Sequence, residues 1–304
     1  MTRPGGLARF VRAHDGALRL LAGGVVISFS AVFVKLVPIG PTATGVYRNL
    51  FGGLALLLIV LVRRKSLWRG PGPLGWASLA GVLFAVDIYC WHRSILYVGP
   101  GLATIIGNFQ VFVLAFVGVM IFREKASWRF FVSIPVAVLG LFLLVGIDWR
   151  TLDASYRVGV GFGLLTALSY AGYLLTLRYS GRAAVRLDTT AVLALVSLIT
   201  ALLLVPVALR QGESLHIPDG NTWLVLVSYG VLCQALGWII ILGALARVDA
   251  SRAGLLLLVQ PTLTFVWDIL FFQRPTSLVE VAGALLTLGA IYLGSVRGRE
   301  SESK

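Results

Sequence analysis

The sequence predicts an all-α polytopic membrane protein whose ten transmembrane helices form two inverted five-helix repeats. Its apolar runs reach about 20 residues, the length that crosses a ~30 Å hydrocarbon core as a helix. The 304 residues are 58% hydrophobic and 13% charged, whereas soluble chains average roughly 45–50% apolar and about 25% charged. A third observation is an internal repeat at an offset of 150 residues. The runs do not alternate between polar and apolar residues, which excludes a β-barrel.

The apolar runs define the predicted helices, and the connectors between them are too short for an inserted soluble domain. Basic residues precede the first run, as in a signal peptide. That run exceeds the usual apolar length and no A-x-A cleavage motif follows it, so we expect an uncleaved first helix. Ser277 and Glu280 form a capping box at the start of the last helix. Paired glycines at Gly23-Gly24 and Gly52-Gly53 predict close helix contacts. The predicted spans are residues 18–37, 43–62, 73–98, 100–122, 129–147, 158–178, 189–209, 222–246, 251–272 and 278–296.

The stretch around Gln110 recurs around Gln260 without a gap. Each stretch is a membrane-length apolar run with a glutamine near its middle. The first repeat covers residues 1–150 and the second covers residues 151–304. Because each repeat has an odd number of helices, the second enters the membrane in the opposite orientation, as in many secondary transporters. Identical pairs at this offset are Val98/Val248, Ala103/Ala253, Gln110/Gln260, Phe122/Phe272 and Ser127/Ser277.

Lysine and arginine residues in the connectors orient the predicted helices. One face of the membrane holds 19 of the 26 Lys and Arg residues and the other holds 5, while Lys35 and Arg48 lie within helices. Connectors rich in these residues stay in the cytoplasm, which predicts that both termini are cytoplasmic. The net charge of +13 therefore reflects topology in a lipid bilayer, and we expect no nucleic-acid partner.

Polar residues near the middle of a transmembrane helix need a buried partner or a wet cavity. Here they concentrate in predicted helices 1, 3 and 4, which the repeat pairs with helices 6, 8 and 9. A lone Asn or Gln is about as often an interhelical hydrogen bond as a ligand contact. Their distribution over six helices nevertheless predicts one shared substrate cavity. The candidate substrate-binding residues are Ser28, Asp87, Tyr89, Trp91, Asn108, Gln110, Tyr170, Tyr173, Gln234, Trp238, Gln260 and Thr264.

Asn108 and Gln110 compete for the cavity side of predicted helix 4. They are two residues apart, so on a continuous helix they point to nearly opposite sides and at most one faces the cavity squarely. The internal repeat favours Gln110, which pairs with Gln260. The i, i+4 pair of Thr104 and Asn108 favours Asn108. The sequence leaves both alternatives open.

Five of the ionisable residues within the predicted helices or close to their ends bear on function. Asp87 and His92 are candidates for proton coupling, because such groups can titrate near neutral pH when buried. Their five-residue spacing places them on different faces. Asp268 is expected near the outer end of helix 9, within reach of solvent. For Lys35 and Arg48, near the outer surface, one interpretation is snorkelling to the interface, and the other is attraction of an anionic carboxylate.

The residue pattern argues against an enzyme and against a cofactor. The three histidines, His14, His92 and His216, are scattered, and no HExxH or GxSxG motif is present. No P-loop is present for ATP, and no charged ring or filter-like run predicts a channel. The class of protein that remains is a carrier of a small molecule. The mostly neutral, aromatic candidate set suits a zwitterion such as an amino acid, whereas phosphorylated sugars would need several buried Lys or Arg residues.

At the level of motifs, the chain resembles a known family. Arg48 early in helix 2, the string GNFQVFVLAFVGVMIFREKASW and its second-half counterpart VQPTLTFVWDILFFQRPTS are similar to EamA-type members of the drug/metabolite transporter superfamily, and most similar to YddG-type bacterial exporters of aromatic and other amino acids. The resemblance implies an inner-membrane carrier that exports small metabolites, foremost amino acids, by alternating access. Another small neutral or drug-like metabolite is the alternative, and both a monomer and a homodimer stay open. The family pattern usually has an acidic residue at the position of Arg274.

Overall fold

A computed structural model describes residues 6–120, 128–145, 153–180, 185–245, 257 and 259–295. Within these ranges the regular secondary structure is entirely helical. One segment, Tyr229–Gly237, is a π-helix that joins α10 to α11. The α-helices are α1 (Gly6–Ser28), α2 (Ser30–Leu36), α3 (Pro41–Val62), α4 (Pro71–Val98), α5 (Pro100–Gly107), α6 (Gln110–Met120), α7 (Trp128–Val145), α8 (Ala154–Ser180), α9 (Thr189–Arg210), α10 (Gly220–Ser228), α11 (Trp238–Leu245), α12 (Val259–Phe272) and α13 (Leu278–Ser295).

Six helical segments are long and apolar enough to cross a membrane. They are Gly16–Leu36, Pro41–Val62, Pro71–Val98, Ala154–Leu177, Thr189–Arg210 and Gly220–Ala244. Shorter apolar helices cover Pro100–Leu114, Phe131–Leu144, Val259–Phe272 and Leu278–Leu293. The chain is therefore a polytopic, multi-pass membrane protein built from α-helices.

Local sequence signals set the helix starts. Asp188 caps α9 by accepting a hydrogen bond from the Thr190 amide at 3.0 Å. Asp219 caps α10 in the same way through the Thr222 amide at 2.8 Å. The predicted capping box of α13 is confirmed, because the Ser277 amide donates to Glu280 at 2.7 Å and the Glu280 amide donates to the Ser277 hydroxyl at 3.2 Å.

Helices of the first half pack mainly against helices of the second half. The most extensive contacts are those of α4 with α8, α7 with α13, and α3 with α9. Residues 1–150 and 151–304 therefore interleave around a common core. Close backbone approach makes some of these contacts possible: a Cβ atom on Gly52 would lie 2.8 Å from the Gly230 carbonyl oxygen, and a Cβ atom on Gly23 would lie 2.6 Å from Ile241. These positions confirm the close contacts predicted from the glycine pairs.

Three of the predicted spans are interrupted near their middle. The first breaks at Phe29, between α1 and α2. The fourth breaks at Asn108-Phe109, between α5 and α6. The eighth contains the π-helix Tyr229–Gly237. Breaks of this kind are tolerated at membrane depth where the backbone lies inside protein or lines a cavity, and π-helical turns are frequent at functional sites.

Candidate functional site

A cavity of about 270 Å³ lies between the two halves of the chain. It exceeds the ~150 Å³ engineered cavity that holds a benzene molecule, so it has room for a small metabolite. Side chains from α1 to α6 form one side, and those from α8, α11 and α12 form the other. The lining residues are Ile27, Ser30, Arg48, Phe84, Asp87, Ile88, Trp91, Thr104, Gly107, Asn108, Gln110, Thr166, Tyr170, Leu174, Trp238, Ile241, Leu257 and Gln260.

The structure places seven of the twelve sequence-predicted binding residues on this cavity, and the other five behind its wall or away from it. The lining ones are Asp87, Trp91, Asn108, Gln110, Tyr170, Trp238 and Gln260. The other five, Ser28, Tyr89, Tyr173, Gln234 and Thr264, are absent from the lining.

Ser28 and Thr264 connect α1 to α12. The Thr264 hydroxyl shares its single proton between the Gln260 carbonyl at 2.9 Å and the Ser28 carbonyl at 3.1 Å. The indole N–H of Trp267 donates to the Ser28 hydroxyl at 2.9 Å. The Ser28 hydroxyl in turn donates to the Val25 carbonyl at 2.6 Å. With their hydrogen-bonding capacity used inside the protein, both residues serve packing between helices.

Tyr89 and Tyr173 also have protein partners. The Tyr89 hydroxyl accepts a hydrogen bond from Gln211 Nε2 at 2.8 Å, in the connector after α9. The Tyr173 ring stacks on Phe84 with 4.7 Å between ring centroids, and on Tyr170 with 5.7 Å. Because Phe84 and Tyr170 line the cavity, Tyr173 supports the wall from behind.

Arg48 lies inside the protein rather than near the outer surface, which argues against snorkelling, one of the two interpretations of this residue. Its side chain is 5% exposed and lines the cavity. Nε donates to Gln234 Oε1 at 3.0 Å, and Nη1 donates to the Tyr229 hydroxyl at 3.1 Å. Gln234 Nε2 donates onward to Ser197 at 3.0 Å. Gln234 is thus the residue that holds Arg48 in place.

Aromatic rings surround the Arg48 guanidinium. Its central carbon lies 5.1 Å from the ring centroid of Tyr229, 5.6 Å from that of Trp91 and 5.9 Å from that of Phe84. These cation–π contacts stabilise the positive charge, but they do not neutralise it. No carboxylate of the described residues lies within 4.0 Å of the guanidinium nitrogens.

Asp87 is the acidic residue of the cavity. It is 5% exposed and, within the described ranges, makes no hydrogen bond and no ion pair. On α4 it lies between Phe84 and Trp91 at i, i+3 and i+7, so all three share one helical face. Among the described residues that line the cavity, Arg48 and Asp87 are therefore a cation and an acid that do not pair with each other.

Four further residues of the cavity lining each carry a buried polar side-chain atom that has no hydrogen-bond partner among the described residues. The atoms are Ser30 Oγ, Gln110 Oε1, Thr166 Oγ1 and Trp238 Nε1. A buried polar atom left without a partner costs about 1–3 kcal/mol. Their clustering in residues around one cavity favours a polar ligand there.

The break in the fourth span resolves the competition between Asn108 and Gln110. Because α5 ends at Gly107 and α6 begins at Gln110, both side chains line the cavity, contrary to the expectation from a continuous helix. Asn108 Nδ2 donates to the Thr104 carbonyl at 2.8 Å, whereas Gln110 Oε1 has no partner.

His92 lies behind the cavity wall. Its Nδ1 lies 2.7 Å from the Ile88 carbonyl oxygen, which only accepts, so this nitrogen carries the proton. Its Nε2 lies 3.3 Å from the Tyr229 hydroxyl. His92 therefore contacts the Tyr229 hydroxyl, which in turn accepts a hydrogen bond from Arg48, and so helps to hold Tyr229 in position beside the guanidinium.

Asp268 is buried, which corrects the expectation of solvent access. It is 2% exposed and accepts a hydrogen bond from the Gly101 amide at 3.0 Å. Arg274 Nη1 lies 3.9 Å from its carboxylate, and Arg274 Nη2 lies 3.3 Å from Glu280. Arg274 thus has two acidic partners next to the tight α4–α5 junction, where Gly99 has a φ of +86°.

Membrane-spanning helices around a cavity lined by aromatic and polar side chains indicate the class of the protein: a membrane transporter. The profile of the EamA-like transporter family matches residues 15–146 and 157–296. The chain belongs to this family, and it is not an enzyme.

Individual relatives are distant. The chain is 24% identical over 294 residues, 89% of each chain, to the uncharacterized transporter YcbK of Bacillus subtilis. It is 32% identical over 183 residues to the threonine/homoserine exporter RhtA of Escherichia coli, and this match spans 57% of each chain. A crystal structure with 17% sequence identity superposes with a TM-score of 0.66 over 93% of this chain and 98% of the other, which shows a shared fold.

Proposed function

We propose that the protein exports amino acids across the bacterial inner membrane as a secondary carrier. The observation that carries this proposal is the cavity itself, because it combines a buried cation, a buried carboxylate and an aromatic wall. These are the groups that a zwitterion with an apolar or aromatic side chain requires. The likeness to a threonine/homoserine exporter supports the same substrate class, and YddG-type export of aromatic amino acids is a narrower form of the proposal.

The proposed architecture has ten transmembrane helices in two inverted repeats, with both termini in the cytoplasm. The family profile matches one segment in each half, and helices occupy most of the described residues in each of the ten predicted spans. Both facts support the repeat. The protein would work as a monomer or a homodimer.

Alternating access would take place around the cavity. In the proposed orientation, the outer end of the bundle is where α3 begins and α9 ends. There Arg93, Thr42, Gln211 and Glu213 join the two halves. Closed contacts at this end, with a cavity below them, support a conformation that is shut towards the outside.

A second candidate substrate is another small neutral or drug-like metabolite. Five rings on or next to the cavity favour it, since aromatic walls bind many apolar molecules. They are Phe84, Trp91, Tyr170, Tyr173 and Trp238.

Counterflow in proteoliposomes that contain only this protein tests the proposal. Vesicles loaded with one unlabelled amino acid are diluted into the labelled compound, for each of the common amino acids in turn. Saturable, stereoselective accumulation supports an amino-acid carrier. Flux that does not saturate would indicate a channel, and accumulation of non-zwitterionic compounds alone would favour the second candidate.

A further inference from the structure

Arg48 presents a hydrogen-bonding edge to the cavity that the described protein groups do not use. Its Nε and Nη1 donate to Gln234 and Tyr229, while Nη2 makes no hydrogen bond within the described ranges. A guanidinium has five N–H donors in a rigid fork that matches a carboxylate. Arg48 is thus positioned by protein groups at one edge and open to a ligand at another.

Asp87 is the complementary group in the same cavity. The Arg48 guanidinium lies within 6 Å of both Phe84 and Trp91, the residues that flank Asp87 on its helical face. The carboxylate is therefore near the guanidinium, yet the two are more than 4.0 Å apart. An unpaired buried charge is costly, and here the Arg48 guanidinium and the Asp87 carboxyl group line one cavity without an ion pair between them.

We propose that Arg48 and Asp87 bind the two charged ends of an α-amino acid, with the substrate carboxylate on Arg48 and its ammonium group on Asp87. The assignment rests on the proposed transport of amino acids. A zwitterion neutralises both charges at once and adds no net charge to the membrane interior. A simple carboxylic acid would be repelled by Asp87, and a simple amine would be repelled by Arg48.

In this assignment the lining residues with unpartnered polar atoms, Ser30, Gln110, Thr166 and Trp238, surround the substrate side chain. Trp238 Nε1 donates, Gln110 Oε1 accepts, and the Ser30 and Thr166 hydroxyls do either. A side chain that carries a hydroxyl group satisfies donor and acceptor together, so the site favours a hydroxylated amino acid over an isosteric apolar one.

The test uses three probes on the full-length protein in proteoliposomes: threonine, threonine amide and 2,3-dihydroxybutanoate. The amide keeps the ammonium group and lacks the carboxylate, and the dihydroxy acid has the reverse composition. Phenylalanine with its amide and its 2-hydroxy acid forms a second set. In the native protein we expect each analogue to compete at least about tenfold more weakly than its amino acid, because each analogue lacks one hydrogen-bonded contact between charged groups.

The variants Arg48→Gln and Asp87→Asn separate the two contacts. Arg48→Gln should weaken amino-acid binding at least about tenfold and abolish the preference for amino acid over amide. Asp87→Asn should also weaken amino-acid binding at least about tenfold, and it should abolish the preference for the amino acid over the hydroxy acid. Arg48→Lys keeps the charge without the planar fork, so it should lie between the native protein and Arg48→Gln. Asp153→Asn changes an exposed charge that is absent from the cavity lining and should leave every preference unchanged.

The outcomes separate this assignment from the proposed function. If the native protein shows counterflow with none of the common amino acids, amino-acid transport fails and the assignment fails with it. Where the native protein transports amino acids but accepts both analogues equally well, only the assignment is overturned, even if a variant does not fold. Unchanged preferences in folded Arg48→Gln and Asp87→Asn would likewise overturn it while transport stands.

Discussion

The guanidinium of Arg93 on α4 contacts the carboxylate of Glu213, just after α9, with 2.5 Å between Nη2 and Oε1. Glu213 Oε2 accepts the Ala43 amide at 2.8 Å, at the start of α3. The Thr42 hydroxyl shares its single proton between Gln211 Oε1 at 2.8 Å and Glu213 Oε1 at 3.0 Å. The negative charge also lies at a helix N-terminus, where it is favoured. One carboxylate therefore connects the first half of the chain to the second.

Glu213→Gln should open the outer end of the bundle. The ion pair is mostly buried, with side-chain exposure of 20% for Arg93 and 10% for Glu213, so its loss removes stabilisation from the closed state. A change of about 1.4 kcal/mol alters a two-state population ratio tenfold. With both native cysteines replaced by alanine, Thr104→Cys on the cavity wall should react faster with an external, membrane-impermeant maleimide in the Glu213→Gln background. The same rate in both backgrounds would show that this ion pair does not hold the outer end closed, and Asp153→Asn serves as the control.

Topology is tested by labelling at three positions. A reporter fused after Lys304 and a cysteine at Thr2 should both report the cytoplasm, because connectors rich in Lys and Arg remain inside. A cysteine at the exposed Gly220, where α10 begins, should react from outside the intact cell. Labelling of Gly220 only after permeabilisation would contradict the ten-span arrangement.

The crossing of α3 with the π-helix depends on Gly230. A Cβ atom there would lie 2.7 Å from the Gly52 amide and 2.9 Å from the Arg48 carbonyl, whereas one on Gly243 of the same span would meet nothing within 4 Å. Overpacking costs typically about 1–3 kcal/mol. Gly230→Ala should therefore lower the melting temperature in detergent and disturb the cavity, while Gly243→Ala should leave both unchanged. Equal effects of the two variants would mean that the close approach is not required.

Helices and close packing were largely predictable from sequence because their signals are local. Apolar runs, glycine pairs and the Ser277–Glu280 capping box each depend on a few neighbouring residues. The interruptions at Phe29, at Asn108-Phe109 and in the π-helix were not predicted, since apolar composition continues through them and only neighbouring helices decide where the backbone departs from α-helical geometry.

The polar residues were harder to assign, because the side that each one faces depends on tertiary packing. Arg48 was expected near the surface from its position in the second span, but α4 and the π-helix enclose it. Ser28 and Thr264 were expected in the cavity, but they bond to each other across α1 and α12. The sequence shows which polar residues lie near the middle of a transmembrane helix. It does not show whether each of them faces a cavity or a neighbouring helix.

Gln110→Leu and Thr264→Val should have opposite consequences. Gln110 lines the cavity and its Oε1 has no hydrogen-bond partner among the described residues, so the removal of this side-chain amide should weaken binding of a hydroxylated substrate and leave stability unchanged. A neutral hydrogen bond contributes about 0.5–1.5 kcal/mol, or roughly two- to tenfold in affinity. Thr264 bonds to the Ser28 carbonyl instead, so Thr264→Val should lower the melting temperature and keep affinity, with an interhelical bond worth about 1 kcal/mol in membranes.

Counterflow with threonine and with valine, which has nearly the same shape, measures the effect at the substrate side chain. In the native protein threonine should bind more tightly, and in Gln110→Leu the difference should shrink because only threonine has a hydroxyl for the amide oxygen. Gln260→Leu tests the partner position in the repeat, and a similar loss there would support a binding site shared by both halves. A Gln110→Leu protein that melts earlier and binds threonine normally would reverse the assignment of Gln110 and Thr264, since the glutamine would then serve packing.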